Sequence, residues 1–241
     1  MTIEEQELIK LINKELEKDR PDGNEINHLI VDFDIENRIR LSNNFLKNYE
    51  NYIDWKVILI DFNLDEEFLE RYEDKIDWND VAVYQKLSES FIERYHNRLN
   101  WDVVSVEQDL SETFIEEWEG NINWYAISMY QELSREFIEK HQDKLNWHNI
   151  SLNQKLSEDD IVQFKDLIEW ETISHAQDLS LEFIEEYKDM LNWDFLSRHQ
   201  YLSETFILEN RSRINWKKLR SNSQIFFTEK LETVYKLVVN L

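Results

Sequence analysis

The sequence predicts an all-α fold, an α-solenoid of about eight short helix–turn–helix repeats with atypical capping ends. The first observation is a tryptophan that recurs every 23 residues, beside a leucine column with the same period from Leu41 to Leu202. The second is the scarcity of chain breakers, since only two glycines and one proline occur in 241 residues. Unbroken self-similarity at this period is typical of stacked arrays, in which each unit packs on its neighbours. The periodic tryptophans are Trp55, Trp78, Trp101, Trp124, Trp147, Trp170, Trp193 and Trp216.

The repeat covering residues 87–109 illustrates the expected helices. Ser88 has the chemistry of an N-cap, and Phe91, Ile92, Tyr95 and Leu99 recur at helical intervals to form one apolar stripe. Asn100 then predicts a second cap, followed by a shorter helix that begins at Trp101. The pattern predicts helices of roughly three turns and one and a half turns. The phenylalanine and tryptophan columns are expected to hold neighbouring repeats together.

Three segments follow from this pattern: an N-terminal helical cap (1–40), eight hairpin repeats (41–224) and a C-terminal capping helix (225–241). Residues 3–18 read as a helix with Ile9, Ile12 and Leu16 on one side, and residues 20–23 read as a turn. Residues 25–40 resemble a degraded repeat. At the other end, Thr228 is expected to cap a helix that carries Leu231, Val234, Tyr235 and Val238. A glutamine seven residues after most tryptophans predicts bonds to free carbonyl groups or to adjacent repeats.

The net charge of −24 is unevenly distributed along the chain. Residues 41–202 carry a net charge of −22, whereas residues 203–241 carry four acidic and seven basic residues, a net of +3. A negative field of this size repels nucleic acid and membranes and attracts basic proteins. Solubility alone is the competing explanation. The basic segment from Arg211 to Lys236 leaves open a homodimer in which it contacts the acidic body of a second copy.

Composition also predicts the compartment. No cysteine is present, so disulfides and thiolate metal sites are excluded and a reducing compartment is compatible. The acidic start MTIEEQELIK lacks the features of a signal peptide, and no apolar stretch approaches the ~20 residues of a membrane span. A cytoplasmic protein without membrane contact is therefore expected.

No pattern in the sequence indicates catalysis, a cofactor or a metal. The six histidines share no repeat column, and the isolated glycines cannot form a phosphate-binding loop. Paired carboxylates could support a hydrolase, but that chemistry needs unequal environments in a shielded pocket. A non-enzymatic protein is the prediction.

The acidic positions suggest a binding surface. Glutamates at equivalent positions of stacked repeats, roughly 8–10 Å apart, would form a row of negative charge comparable to that of a nucleic-acid backbone. Asp159 and Asp160 add local negative charge to this surface. The predicted partner-binding residues are Glu93, Glu116, Glu139, Glu185, Asp159 and Asp160.

Repeats such as LSETFIEEWEGNINWYAISMYQE and LSLEFIEEYKDMLNWDFLSRHQY resemble short tandem repeats in uncharacterised proteins of phages and giant viruses. The resemblance covers roughly residues 41–224 and implies a viral or mobile-element protein that acts in the host-cell cytoplasm. It implies no particular activity. The sequence departs from the pattern at Asp65, which replaces the capping serine, and at Asp160, which stands in the phenylalanine column.

Together these features predict a nucleic-acid mimic that binds a basic, nucleic-acid-binding protein, without binding nucleic acid itself. An inhibitor of a defence effector, such as an anti-CRISPR or anti-restriction protein, fits the size, charge and resemblance. The alternative is a protein–protein scaffold that uses a mixed or apolar surface, with Trp118 as a candidate contact, or a virion component. In that case the charge serves only solubility.

Overall fold

The computed structural model describes residues 3–18, 23, 25–26, 28–30, 47–52 and 54–239. The chain forms two compact units, residues 1–122 and 123–241. The described secondary structure is helical, and helices of successive repeats pack against each other within each unit. The predicted all-α repeat fold is confirmed. The predicted turn at 20–22, most of the degraded repeat at 25–40 and the start of the first repeat at 41–46 lie outside the described residues.

Each complete repeat contains a six-residue helix and a helix that begins at the periodic tryptophan. The six-residue helices of the first unit are Glu66–Arg71, Glu89–Arg94 and Glu112–Glu117; those of the second are Arg135–Lys140, Glu158–Gln163, Leu181–Glu186 and Glu204–Glu209. The tryptophan helices of the first unit are Trp55–Asp61, Trp78–Tyr84 and Trp101–Glu107; those of the second are Trp124–Tyr130, Trp147–Asn153, Trp170–Ala176, Trp193–His199 and Trp216–Leu219. The described terminal helices are Ile3–Leu16 and Glu229–Val239.

The predicted caps are present at both kinds of helix. Ser88 accepts a hydrogen bond from the backbone N–H of Phe91, and Asp65 accepts the equivalent bond although it replaces serine. Asn100 accepts from the N–H of Asp102. Glu169 is the exception, because its side chain makes no cap bond.

The first helix of the repeat is shorter than predicted. It spans six residues, and the chain then turns, with Tyr95 at the C-cap at φ −107° and ψ 19°. Residues with weak helix propensity follow two positions later in every described repeat, for example Asn97, Gly120 and Asp143. The turn still delivers Leu99 to the core, where it is buried, so the apolar stripe is correct although the helix is not continuous.

Aromatic contacts join each repeat to the next. Trp78 stacks on Tyr95 with ring centroids 4.7 Å apart and lies 6.2 Å from Phe91. In the second unit, Trp170 makes the same contacts with Tyr187 and Phe183, at 5.4 and 6.5 Å. The indole N–H of Trp78 donates to a backbone carbonyl five residues earlier, which fixes the ring. The tryptophan and phenylalanine columns therefore pack the repeats together, as predicted.

The glutamine column forms the predicted bonds between repeats. The Gln177 side-chain amide donates to the carbonyls of Ser151 and Gln154, at 2.9 and 2.8 Å, and accepts from the N–H of Leu156. Gln85 does the same in the first unit. These carbonyls end a tryptophan helix and would otherwise lack partners. After the last glutamine of the column, Asn222 makes the two donor bonds to Ser197 and Gln200.

Buried serines allow the tryptophan helices to approach closely. Ser128, Ser151, Ser174 and Ser197 have no exposed surface. The Ser174 hydroxyl donates to the carbonyl of Trp170 and accepts from the N–H of Asn192, which caps the next tryptophan helix. One small side chain thus satisfies groups in two repeats.

The ends differ from the repeats. On the N-terminal helix, Leu8 and Ile12 are fully buried, while Ile9 and Leu16 are half-buried. Thr228 caps the C-terminal helix by accepting from the N–H of Leu231. On this helix Val238 is 47% exposed, and Val239 packs against the core. In the described part of the chain, no helix is long and apolar enough to span a membrane.

Candidate functional site

The two kinds of helix in the second unit carry very different charge. Its four six-residue helices contain ten acidic and two basic residues, a net charge of −8, whereas its tryptophan helices contain two acidic and three basic residues, a net charge of +1. Trp124–Tyr130 and Trp147–Asn153 contain no Asp, Glu, Lys or Arg. The excess negative charge of the second unit is therefore concentrated on its six-residue helices.

Part of this acidity has a structural role. The Glu89 carboxylate accepts a 2.6 Å bond from the N–H of Ser111, the cap of the next six-residue helix. Glu158 makes the same bond to Ser180, also at 2.6 Å. Such charge-assisted bonds link consecutive repeats. These glutamates therefore stabilise the packing of consecutive repeats in addition to contributing negative charge.

Ion pairs between repeats neutralise other acids. Glu70 pairs with Arg94, and Glu73 pairs with Arg98 at 3.2 Å. In the second unit, Asp189 pairs with Arg213 at 2.6 Å. All these side chains are substantially exposed, so each pair contributes at most about 1 kcal/mol.

The structure places the six predicted binding residues in different settings. Glu93, Glu139 and Asp159 are exposed, and Glu116 is half-buried. Glu185 is exposed but binds the Lys188 ammonium at 2.6 Å, a hydrogen bond that holds the pKa of the Glu185 carboxyl below its ordinary value. The predicted row is interrupted in the second unit. Val162 occupies the equivalent position in the repeat that lies between those of Glu139 and Glu185.

Asp160 is occupied within the chain rather than displayed to a partner. Its carboxylate accepts from the N–H and hydroxyl of Ser157 in a capping box, and it lies 3.2 Å from the Arg135 guanidinium. The side chain is only 14% exposed. The aspartate that replaces phenylalanine in this column thus completes the capping box of the helix Glu158–Gln163, whose N-cap is Ser157.

Trp118, the candidate contact of the scaffold hypothesis, is half-buried. Its ring stacks on Trp101 at 5.0 Å and lies 5.1 Å from His96. It therefore continues the aromatic contacts between repeats. A shallow groove of about 520 Å³ opens beside it, lined by Ser90, Glu93, Arg94, His96 and Trp118.

Sequence reasoning missed three exposed tyrosines on or just after the tryptophan helices of the second unit. Tyr125 is 56% exposed, Tyr130 is 53% exposed, and Tyr201, just after the helix Trp193–His199, is 61% exposed. Tyrosine is enriched in protein interfaces. The positions equivalent to these tyrosines hold different residue types in other repeats. That variation was the signal in the sequence that could have indicated exposed positions.

A pair of histidines lies on two consecutive tryptophan helices of the second unit, Trp170–Ala176 and Trp193–His199. The rings of His175 and His199 are 6.0 Å apart, and Phe195 lies 4.9 Å from His175. Burial lowers the pKa of His199, and the nearby charges of Arg198, His175 and Lys218 lower it further. Among the described residues, no three metal-ligating side chains converge on one point.

A comparison with protein-family models finds no match, and comparisons with curated proteins and with solved structures find none either. Function is therefore argued from the surfaces of this chain.

Proposed function

We propose that this protein is a non-enzymatic binding protein that engages a basic, nucleic-acid-binding partner as a nucleic-acid mimic. The single observation that carries the proposal is the concentration of charge on the six-residue helices of the second unit, with a net of −8. Charge that served solubility alone would need no such segregation. Segregated charge gives one face a field that steers a partner of opposite sign.

Exposed acids of the six-residue helices are available to such a partner. Glu139 and Asp159 of the second unit are open to solvent, and in the first unit so is Glu93. Many neighbouring acids are tied in caps or ion pairs, which fixes the helices that carry the exposed ones. The finer proposal, an inhibitor of a host defence effector, rests on the resemblance to viral repeats.

A matched pair of variants tests the proposal. The first carries Glu93→Lys, Glu139→Lys and Asp159→Lys on the six-residue helices. The control carries Glu107→Lys, Glu171→Lys and Asp178→Lys, three exposed acids on or just after tryptophan helices, with the same change in net charge. Tagged full-length proteins are incubated with host lysate at low and high salt, with and without competing duplex DNA.

The expected result is retention of nucleic-acid-binding proteins that salt and DNA both displace, because both weaken recognition by charge. The first variant should lose this retention and the control should keep it. Equal retention by both variants, with unchanged circular dichroism, would contradict the proposal.

A second candidate function is a protein scaffold that uses the exposed tyrosines Tyr125, Tyr130 and Tyr201. The observation that favours it is the absence of charged residues from two consecutive tryptophan helices of an acidic protein. Exposed tyrosines on such a surface suit a partner held by apolar contact. Retention that withstands high salt and is lost with Tyr125→Ser and Tyr130→Ser would favour the scaffold over the mimic.

A further inference from the structure

A groove lies between two consecutive six-residue helices of the second unit, Leu181–Glu186 and Glu204–Glu209. It has a volume of about 490 Å³ and combines two apolar side chains with four carboxylates. Its lining residues are Leu181, Glu182, Glu185, Glu186, Phe206 and Glu209. A mixed lining of this kind differs from a uniformly solvated acidic face.

The equivalent positions in the first unit show what the groove lacks. There, Arg94 of one repeat pairs with Glu70 of the preceding repeat. Five repeats later the same two positions hold Glu209 and Glu185. The position of an internal cation is thus taken by a carboxylate, which places like charges together.

In the repeat that precedes Glu209, a carboxylate again stands where the first unit has a cation. Arg71 pairs with Glu67 at 2.9 Å in the first unit, and the position equivalent to Arg71 holds Glu186 in the groove. Lys188 binds Glu185 at 2.6 Å. No ion pair joins Glu182 or Glu209 to another side chain in the part of the chain that the structure describes. The groove therefore keeps an excess of negative charge.

The apolar side of the groove is also a local departure from the repeat. Leu181 stands at a position that is Glu or Arg in six other repeats, and it remains half-buried at the rim. Phe206, largely buried beneath, belongs to the phenylalanine column. An apolar group from a partner can contact Leu181 while cations reach the carboxylates around it.

We propose that this groove is the docking site for a basic protein segment in which arginine or lysine side chains flank one apolar side chain. The partner's cation replaces the one that Arg94 supplies to Glu70 in the first unit, and it pairs with acids from two consecutive repeats. The inference rests on the proposed function and specifies the partner's chemistry at one site. Charge complementarity selects the occupant, since four carboxylates around an apolar side chain repel an acidic segment.

The probe is a short dye-labelled peptide with a leucine between pairs of arginines, and its binding to the full-length protein is measured by fluorescence anisotropy. Glu209→Arg should close the site from within, because the new guanidinium can pair with Glu185 as Arg94 pairs with Glu70. Glu171→Arg is the matched control, an exposed acid of the same unit on a tryptophan helix. A second variant, Leu181→Ser, and a second peptide with serine in place of leucine test the apolar contact.

Binding to Glu209→Arg should be about tenfold weaker or more, while the control should stay within about twofold of the parent protein. Leu181→Ser should remove the preference for the leucine peptide. Equal weakening by the two charge variants, or no preference for the leucine peptide in the parent, would overturn the proposal. A dimer in light scattering that Glu209→Arg converts to a monomer would assign the groove to a second copy instead.

The same protein samples separate this proposal from the proposed function. If the peptide fails to bind while nucleic-acid-binding proteins are still retained and displaced by DNA, the groove assignment is wrong and the mimic stands. If neither binds, both are wrong.

Discussion

The two units build the same helices but cover them with different side chains. In the first unit, Lys75 lies over the Trp55 ring at 5.8 Å and Arg98 over Trp78 at 5.2 Å. The second unit has this contact in only part of its repeats: Arg213 lies over Trp193 at 5.8 Å, but in two other repeats the position of the cation holds Leu167 and Met190, which are 40% and 49% exposed. Helix lengths are nevertheless the same around both kinds of position. The cations are therefore an addition to the stack and not a condition for it.

What both units share are the contacts that satisfy backbone groups. The glutamine amides, the cap side chains and the indole N–H bonds recur in both. The glutamine bonds are buried and costly to lose, whereas exposed ion pairs contribute little. The surface could thus diverge between repeats while the frame stayed constant, and this freedom allows one groove to become acidic and apolar.

The largest expected effect comes from breaking the shared frame. Gln177→Leu keeps a similar volume but leaves two carbonyl groups and one N–H without partners, so we expect a loss of about 3 kcal/mol in unfolding free energy. Gln85→Leu should cost a similar amount in the first unit, because Gln85 makes the same three bonds. Urea denaturation measures both losses.

Gln142→Ala is the control for these variants, since Gln142 is exposed and its substitution should change stability by less than about 0.5 kcal/mol. A large loss for one glutamine and none for the other would show that the two units do not share a frame.

A smaller effect should follow from giving one repeat of the second unit the cation that it lacks. Met190→Arg places a guanidinium where Arg98 and Arg213 lie in their repeats, over the preceding tryptophan, here Trp170. Asp166 occupies the position of the aspartate that pairs with Arg213. We expect stabilisation of about 0.5–1 kcal/mol by thermal or urea unfolding. Met190→Gln, which removes the apolar group without adding charge, should not stabilise; equal stabilisation by both variants would exclude a cation–π contribution.

Most of the frame was predictable from the sequence because its signals are periodic. The tryptophan, phenylalanine and glutamine columns identified the contacts between repeats, and Ser88 and Asn100 identified the helix starts. The end of the first helix was not predicted, because Tyr95 and Leu99 continue the helical spacing across a turn that is set by Asn97. Local propensity ended the helix although the apolar pattern continued.

The surfaces were less predictable, because identical residue types have different partners. Glu93 and Glu89 lie on the same six-residue helix, yet only Glu89 bonds to the cap of the next repeat. Asp160 read as surface charge and completes a capping box. The binding role of the exposed glutamates remains a prediction. The groove beside Leu181 depends on which columns meet between adjacent helices, and residue spacing alone does not specify that.

The smallest expected effect is on the pH dependence of folding stability. It should differ between the two units because their tryptophan helices differ in histidine content. Those of the first unit contain no histidine, whereas those of the second carry His148, His175 and His199. The pKa of His199 lies below the ordinary value of 6.5 because burial and neighbouring positive charges disfavour the protonated ring. As pH falls below about 6.5, the unfolded chain therefore binds this proton before the folded one, and folding stability decreases until His199 is protonated in both states.

The lowered pKa values of Glu185 and Asp194 act in a separate window below about 4.5, so the histidine effect can be observed alone near pH 6. His199→Gln should remove part of the decrease in stability between pH 7 and pH 5.5. An NMR titration of His199 gives its pKa directly, and Arg198→Gln should raise that pKa by removing a neighbouring positive charge. A His199 pKa that stays the same in the Arg198 variant, or that lies above 6.5 in the parent protein, would contradict the electrostatic cause and leave the two units alike in their response to acid.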